Sequence, residues 1–115
     1  MEMGSALEAF SSLAQETRLR VFKLILEYGS SGITPGEAAE LLDVPDNTLS
    51  FHLSHLARAK LVQSRREGRS LIYVASTDLV EELIEYLREN CCSREVTSKA
   101  NKRRHGGKKK TGRKC

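Results

Sequence analysis

The chain has no tryptophan, and three Phe and three Tyr are its only aromatic residues among 115. Its interior must therefore be built mostly from Leu, Ile, Val and Ala. No apolar run approaches the ~18–20 residues that span a bilayer, and no apolar signal segment follows the acidic start Met1-Glu2. The expectation is neither a membrane protein nor a secreted one. Cysteine is scarce: Cys91, Cys92 and Cys115 are odd in number and two are adjacent, a poor disulfide framework. That points to a reducing cytoplasm. A glycine-rich nucleotide loop is also missing, no His stands near Cys91 in sequence, and a chain this short leaves little room for a substrate cleft. An enzyme is not expected.

What is present is charge, unevenly placed. Residues 93–115 hold ten Lys or Arg and one Glu, whereas residues 1–92 hold nine basic and fourteen acidic residues. The body is mildly acidic and the tail strongly basic. Between Lys99 and Cys115 the tail has a single apolar side chain, Ala100, so it cannot bury enough surface to offset its chain entropy. Residues 1–92 are therefore read as one folded domain and 93–115 as a disordered basic tail. That tail is either solvated without function or a nonspecific polyanion contact.

Apolar spacing divides the body. Leu7, Phe10, Leu13 and Ala14 give a short first helix. Leu19, Phe22, Ile25 and Leu26, with Val21 and Leu24 filling in, give a heavily buried second helix over 17–26, which ends at Gly29-Ser30-Ser31-Gly32. Thr34-Pro35-Gly36-Glu37 is a start signal, with a Thr cap, Pro at the first helical position and Glu three residues on. The short helix that follows stops near Asp43-Val44-Pro45, and Asp46 caps a fourth helix from Asn47 to Ala59. Beyond Leu61 the period changes to about two. Val62, Ser64 and Arg65, then Leu71 to Val74, read as strands joined across Arg66-Glu67-Gly68-Arg69-Ser70. Thr77 or Asp78 caps a last helix carrying Leu79, Val80, Leu83, Ile84 and Leu87. The fold is mainly α with a small β-hairpin (α+β), in the order α-α-α-α-β-β-α. Two short helices joined by a tight turn and followed by a hairpin make a winged helix-turn-helix.

In the fourth helix Leu49, Leu53 and Leu56 share one face. The opposite face holds Asn47, Thr48, Ser50, Phe51, Ser54, His55 and Arg58, with no Lys or Glu of the kind that decorates an ordinary solvated face. Small hydrogen-bonding side chains suit base edges in a major groove, and an apolar ring suits a thymine methyl. His55 is read as pointing outward, and His52 as bordering the core. Arg65, Arg66 and Arg69 around Gly68 suit phosphates or a minor groove.

At this point the chain resembles the ArsR/SmtB family of winged-helix repressors. Leu13-Ala14 through Arg18-Leu19 looks like the family's opening. Ser50-Phe51-His52-Leu53-Ser54-His55-Leu56 matches its S-x-H-L-x-x-L recognition helix. Ala59-Lys60-Leu61-Val62 resembles its A-G-L-V, with Lys60 in place of Gly, and Arg66-Glu67-Gly68-Arg69 with Tyr73 looks like its wing. The resemblance covers roughly residues 6–92. It implies a homodimeric repressor, paired through its first and last helices, that leaves its operator DNA when an inducer binds.

The family's sensing sites differ from member to member. The Cys-x-Cys arsenic site after Glu-Leu is absent here, because Leu42, Asp43 and Val44 follow Glu40-Leu41. The zinc site of the last helix needs His, and this helix has none. Cys91-Cys92 resembles a branch whose arsenic sensors carry adjacent cysteines at the end of the last helix. Trivalent arsenic or antimony favours thiolate sulfur, an inorganic ion wants a third ligand, and Cys115 is the only other cysteine. Arsenite, methylarsenite and antimonite are the inducers so implied. A thiol redox response, another thiophilic metal, or a DNA-packaging protein binding through the tail stay open as alternatives.

Overall fold

A computed structural model of the chain describes residues 1–96. Most of the basic segment 93–115, Cys115 included, lies outside the described residues. The elements follow in the expected order: α1 (Met3–Leu13), α2 (Glu16–Tyr28), α3 (Pro35–Leu42), α4 (Asp46–Arg58), β1 (Val62–Glu67), β2 (Ser70–Ala75) and α5 (Thr77–Arg88). A single 3-10 turn, Gly29–Ser31, leads out of α2.

Local chemistry explains most helix starts. Thr34 accepts from the Glu37 amide at 3.1 Å and Pro35 opens α3, a cap worth about 1 kcal/mol. Two expected caps are corrected. Asp46 is the first residue of α4, not its cap. The cap position belongs to Pro45, and Asp46 instead sets its carboxylate near the positive end of the helix. For α5 the cap is Ser76, whose hydroxyl accepts from the Leu79 amide at 3.2 Å, rather than Thr77 or Asp78. Ser76 is the last extended residue after β2, so it alone has the backbone geometry of a cap.

The buried faces also shift. In α2 the inward stripe is Arg18, Val21, Phe22 and Ile25, and Leu19 is exposed. In α1 the small residues Ala6, Ala9 and Ser12 face inward while Leu7 faces out, which lets α1 approach α2 and α4 closely. The core closes around Ile25, Ile33, Leu49, Leu56 and Leu61, each fully buried leucine or isoleucine contributing about 1.5–3 kcal/mol.

Residues 43–45 form the turn between α3 and α4, with Asp43 left-handed at φ 57°. After α4 Lys60 is also left-handed, at φ 67°, and this accounts for the glycine that the family pattern carries there. β1 and β2 pair antiparallel from Val62↔Ala75 to Glu67↔Ser70, so the connection is the two-residue turn Gly68-Arg69 and not a five-residue loop. Gly68 sits first in that turn at φ 63°, as tight hairpins with a leading glycine require.

The hairpin is held to the body at its base. Ile33 and Tyr73 exchange both backbone bonds, at 3.1 and 2.9 Å, which brings Gly32 against β2. At φ 76° and ψ 178° Gly32 occupies a region that only glycine tolerates. A Cβ there would strike the Ile72 side chain and lie 2.9 Å from the Tyr73 carbonyl oxygen. Gly32→Ala should therefore lower stability by about 2–4 kcal/mol in urea titrations. A loss below half a kcal/mol would mean that the hairpin is not clamped there.

Candidate nucleic-acid interface

Helix α4 is oriented by its buried residues Leu49, His52, Leu53 and Leu56. That packing leaves Asn47, Thr48, Ser50, Phe51 and Ser54 exposed, with Phe51 61% exposed despite its apolar ring. Phe51 meets the rings of His52 and His55 edge-on, with centroids 5.4 and 6.3 Å apart. The five polar and aromatic side chains expected to read bases thus share one outward surface. His55 does not point outward as expected. It is half-buried towards α1, and its Nδ1 lies 3.0 Å from Ser12 Oγ.

His52 borders the core as anticipated and is 6% exposed. Its partner is Arg18, whose guanidinium donates from Nε to the Ser12 carbonyl oxygen at 2.6 Å and from Nη1 to His52 Nδ1 at 3.3 Å. Such bonds offset the desolvation of a buried guanidinium. The sequence reading missed this cluster. One signal was available: Arg18 continues the i, i+3, i+4, i+7 stripe completed by Val21, Phe22 and Ile25.

Burial, then the Arg18 charge and then His55 push the His52 pKa below the ordinary 6.5. The folded protein therefore refuses a proton that the unfolded chain accepts. Stability is full above about pH 6.5 and is lost as pH falls through the window below it. Urea midpoints should drop between pH 7.5 and 5.5, and more steeply in the wild type than in His52→Gln. Equal slopes would show that His52 is not the group responsible.

In the wing Arg66 and Arg69 are exposed, flanking the Gly68 turn. Arg65, expected beside them, is used within the protein. It pairs with Glu67 at 2.7 Å and donates to the carbonyl oxygens of Ser30 and Ser31 at 3.0 and 3.3 Å. This bracket ties the hairpin to the turn after α2, leaving two guanidiniums at the tip.

Cys91 and Cys92 are exposed, but they do not end the last helix. Helix α5 stops at Arg88, and the pair lies in turns beyond it, between left-handed Asn90 and its own left-handed Cys92, both at φ 62°. This backbone brings the two Sγ atoms to 3.6 Å, whereas successive residues of a continued helix would diverge by about 100°. Among the described residues no three His, Cys, Asp or Glu side chains come together to hold a metal ion.

The α3-turn-α4 pair, its polar outer surface and the projecting hairpin define a DNA-binding winged helix-turn-helix. A helix-turn-helix domain family matches residues 13–65. An uncharacterized helix-turn-helix-type transcriptional regulator of Methanocaldococcus jannaschii is 34% identical over 84 residues, 73% of this chain and 92% of its own. The transcriptional activator HlyU of Vibrio cholerae is 31% identical over 80% of this chain and 84% of its own. A protein of Halobacterium salinarum named "Putative arsenical resistance operon repressor ArsR" is 40% identical over 57% of this chain and 54% of its own. Among solved structures, HlyU of Vibrio cholerae superposes with a TM-score of 0.62 at 30% identity, over 80% of this chain and 99% of that one. A homodimeric winged helix-turn-helix domain from Mycobacterium bovis has the same TM-score at 19% identity, over 84% of this chain and 89% of that one. The chain belongs to the ArsR family of winged helix-turn-helix transcriptional regulators, a non-enzymatic family. No helix among the described residues is long and apolar enough to cross a membrane.

Proposed function

We propose that this protein is a cytoplasmic, homodimeric repressor that leaves its operator when trivalent arsenic or antimony bonds to Cys91 and Cys92. The observation that carries the inducer reading is the 3.6 Å separation of the two sulfur atoms at an exposed site. One pyramidal centre can bridge sulfurs at that distance, and the exposure lets an oxyacid reach them. Cys92 is disulfide-bonded in the structure, so the reaction belongs to the form in which cellular thiols have reduced that bond. Each thiol then displaces one arsenic-bound hydroxyl: an As–S bond forms, and the thiol proton leaves with the hydroxide as water. Methylarsenite has two such hydroxyls, so the pair satisfies it. Arsenite has three, and Cys115 is proposed as its third sulfur, from either subunit. The Halobacterium salinarum relative, by its name a "Putative arsenical resistance operon repressor", supports this reading.

A second reading has its own support. One solved relative is described as reduced HlyU, at 29% identity, and adjacent cysteines 3.6 Å apart are equally placed to report a thiol redox change. Fluorescence anisotropy on the upstream promoter DNA separates the two. Arsenite, methylarsenite and antimonite should release the protein at low stoichiometry, with zinc and peroxide inactive. Release by peroxide alone would favour the redox reading.

For the DNA surface, Asn47, Thr48, Ser50, Phe51 and Ser54 are proposed as base contacts, with His55 reaching bases or backbone from beside them, and Arg66 and Arg69 as phosphate contacts. Arg69→Ala should reduce the salt slope of binding by about one unit, whereas Asn47→Ala should cost about 1–3 kcal/mol on operator alone. An unchanged slope would remove the wing from the DNA surface. Equal weakening on operator and random DNA would deprive Asn47 of a reading role.

A further inference from the structure

Ser12 stands in α1, far in sequence from the recognition helix, and is fully buried. A buried hydroxyl must donate its proton. Among the described residues the acceptor its Oγ meets is His55 Nδ1, at 3.0 Å. With the Ser12 hydroxyl as donor at this contact, Nδ1 carries no proton and the proton of neutral His55 resides on Nε2. The same logic holds for His52, because the guanidinium facing its Nδ1 can only donate. The main chain of Ser12 joins the cluster as well, its carbonyl oxygen accepting from Arg18 Nε at 2.6 Å. Ser12 thus joins α1 to Arg18 of α2 and to His55 of α4, and Arg18 in turn reaches His52. His55 itself is half-exposed and lines, with Arg58, a groove of about 640 Å³ between α1 and α4.

We propose that Ser12 is a positioning residue for operator recognition: its hydroxyl holds His55 in the Nε2–H form, so that the recognition helix offers a hydrogen-bond donor there. A donor at that atom suits guanine N7 and O6, adenine N7, thymine O4 or a phosphate oxygen, and discriminates against base edges that present a donor themselves. This rests on the DNA reading of α4 proposed above. It adds that the atom presented by His55 is decided from α1. The sidedness has a consequence for signalling, since α1 is one of the helices assigned to subunit pairing. A shift of α1 would disturb the His55 contact.

The test has one arm without DNA and one with it. In long-range 15N–1H spectra of the full-length protein, His55 should show the Nε2–H pattern in the wild type and a mixed pattern in Ser12→Ala. A His55 tautomer unchanged by Ser12→Ala would overturn the proposal. On DNA, Ser12→Ala should reduce the preference for operator over random sequence about fivefold, the worth of one hydrogen bond. In a His55→Ala background the same substitution should change nothing further. Additive losses in that double variant would reduce Ser12 to a packing residue. Wild-type selectivity in His55→Ala alone would overturn the use of His55 on DNA, with the tautomer measurement still deciding what Ser12 does.

Discussion

A Cys91→Ser or Cys92→Ser protein should bind its operator as tightly as the wild type and stay bound when arsenite, methylarsenite or antimonite is added. The pair lies beyond the end of α5 at Arg88, in a segment separate from the recognition helix and the wing, so DNA affinity has no reason to change. Release, by contrast, needs both sulfurs, because a single thiolate cannot clamp a pyramidal centre against exchange with cellular thiols. An inducer acts only through the difference in its affinity for the DNA-bound and DNA-free arrangements. Moving the equilibrium from almost fully bound to almost fully released takes a difference of about 10⁴-fold, and that entire shift should vanish in either variant. The turn geometry sharpens the mechanism. Since Sγ–Sγ is already 3.6 Å, binding does not have to unwind the last turn of α5. On the proposed reading it would instead lock the turn beyond the end of α5 at Arg88. Cys115→Ser separates the inducers: it should blunt the arsenite response and spare methylarsenite. If it changes neither, the pair works alone. Should Cys91→Ser still leave DNA on adding arsenic, the site is elsewhere.

The second large effect concerns subunit pairing. Leu87→Glu should give a folded monomer by light scattering and lower operator affinity by about 10²–10⁴-fold, the gain that linking two half-site contacts normally provides. The choice of residue comes from the structure. Ile84 and Leu87 are 45% and 65% exposed on α5, and Met3 and Leu7 are exposed on α1, whereas Leu83 is buried in the protomer's own core. Leu83→Glu would therefore damage folding and leave the question of pairing unresolved. Large apolar side chains left in water on two helices call for a partner surface, and a two-fold dimer supplies one. A Leu87→Glu protein that remained dimeric with normal operator binding would refute this use of α5.

Periodicity and punctuation in the sequence determined a great deal: five helices, a hairpin, their order, the Thr34 cap and the leucine face of α4. These signals are local, since a cap or a stripe depends on residues within four positions of one another. The family motifs added the winged helix-turn-helix, and the likeness to known regulators bears it out. Tertiary structure alone decided the rest. The inward face of α1 was not legible, because Ala6, Ala9 and Ser12 are weaker hydrophobic signals than Leu7, yet only small residues let α1 lie close to α4. His55 looked outward on a helical wheel, but a wheel has no neighbours, and Ser12, 43 residues away, draws the ring towards α1. Arg65, Arg66 and Arg69 read as equivalent charges until the fold placed two backbone carbonyls of the 3-10 turn within reach of Arg65. The Cys91-Cys92 pair could be named from the sequence. Its sulfur–sulfur distance could not, since it depends on two left-handed residues: Asn90, a type that favours this conformation just past a helix end, and Cys92, which no local pattern announced.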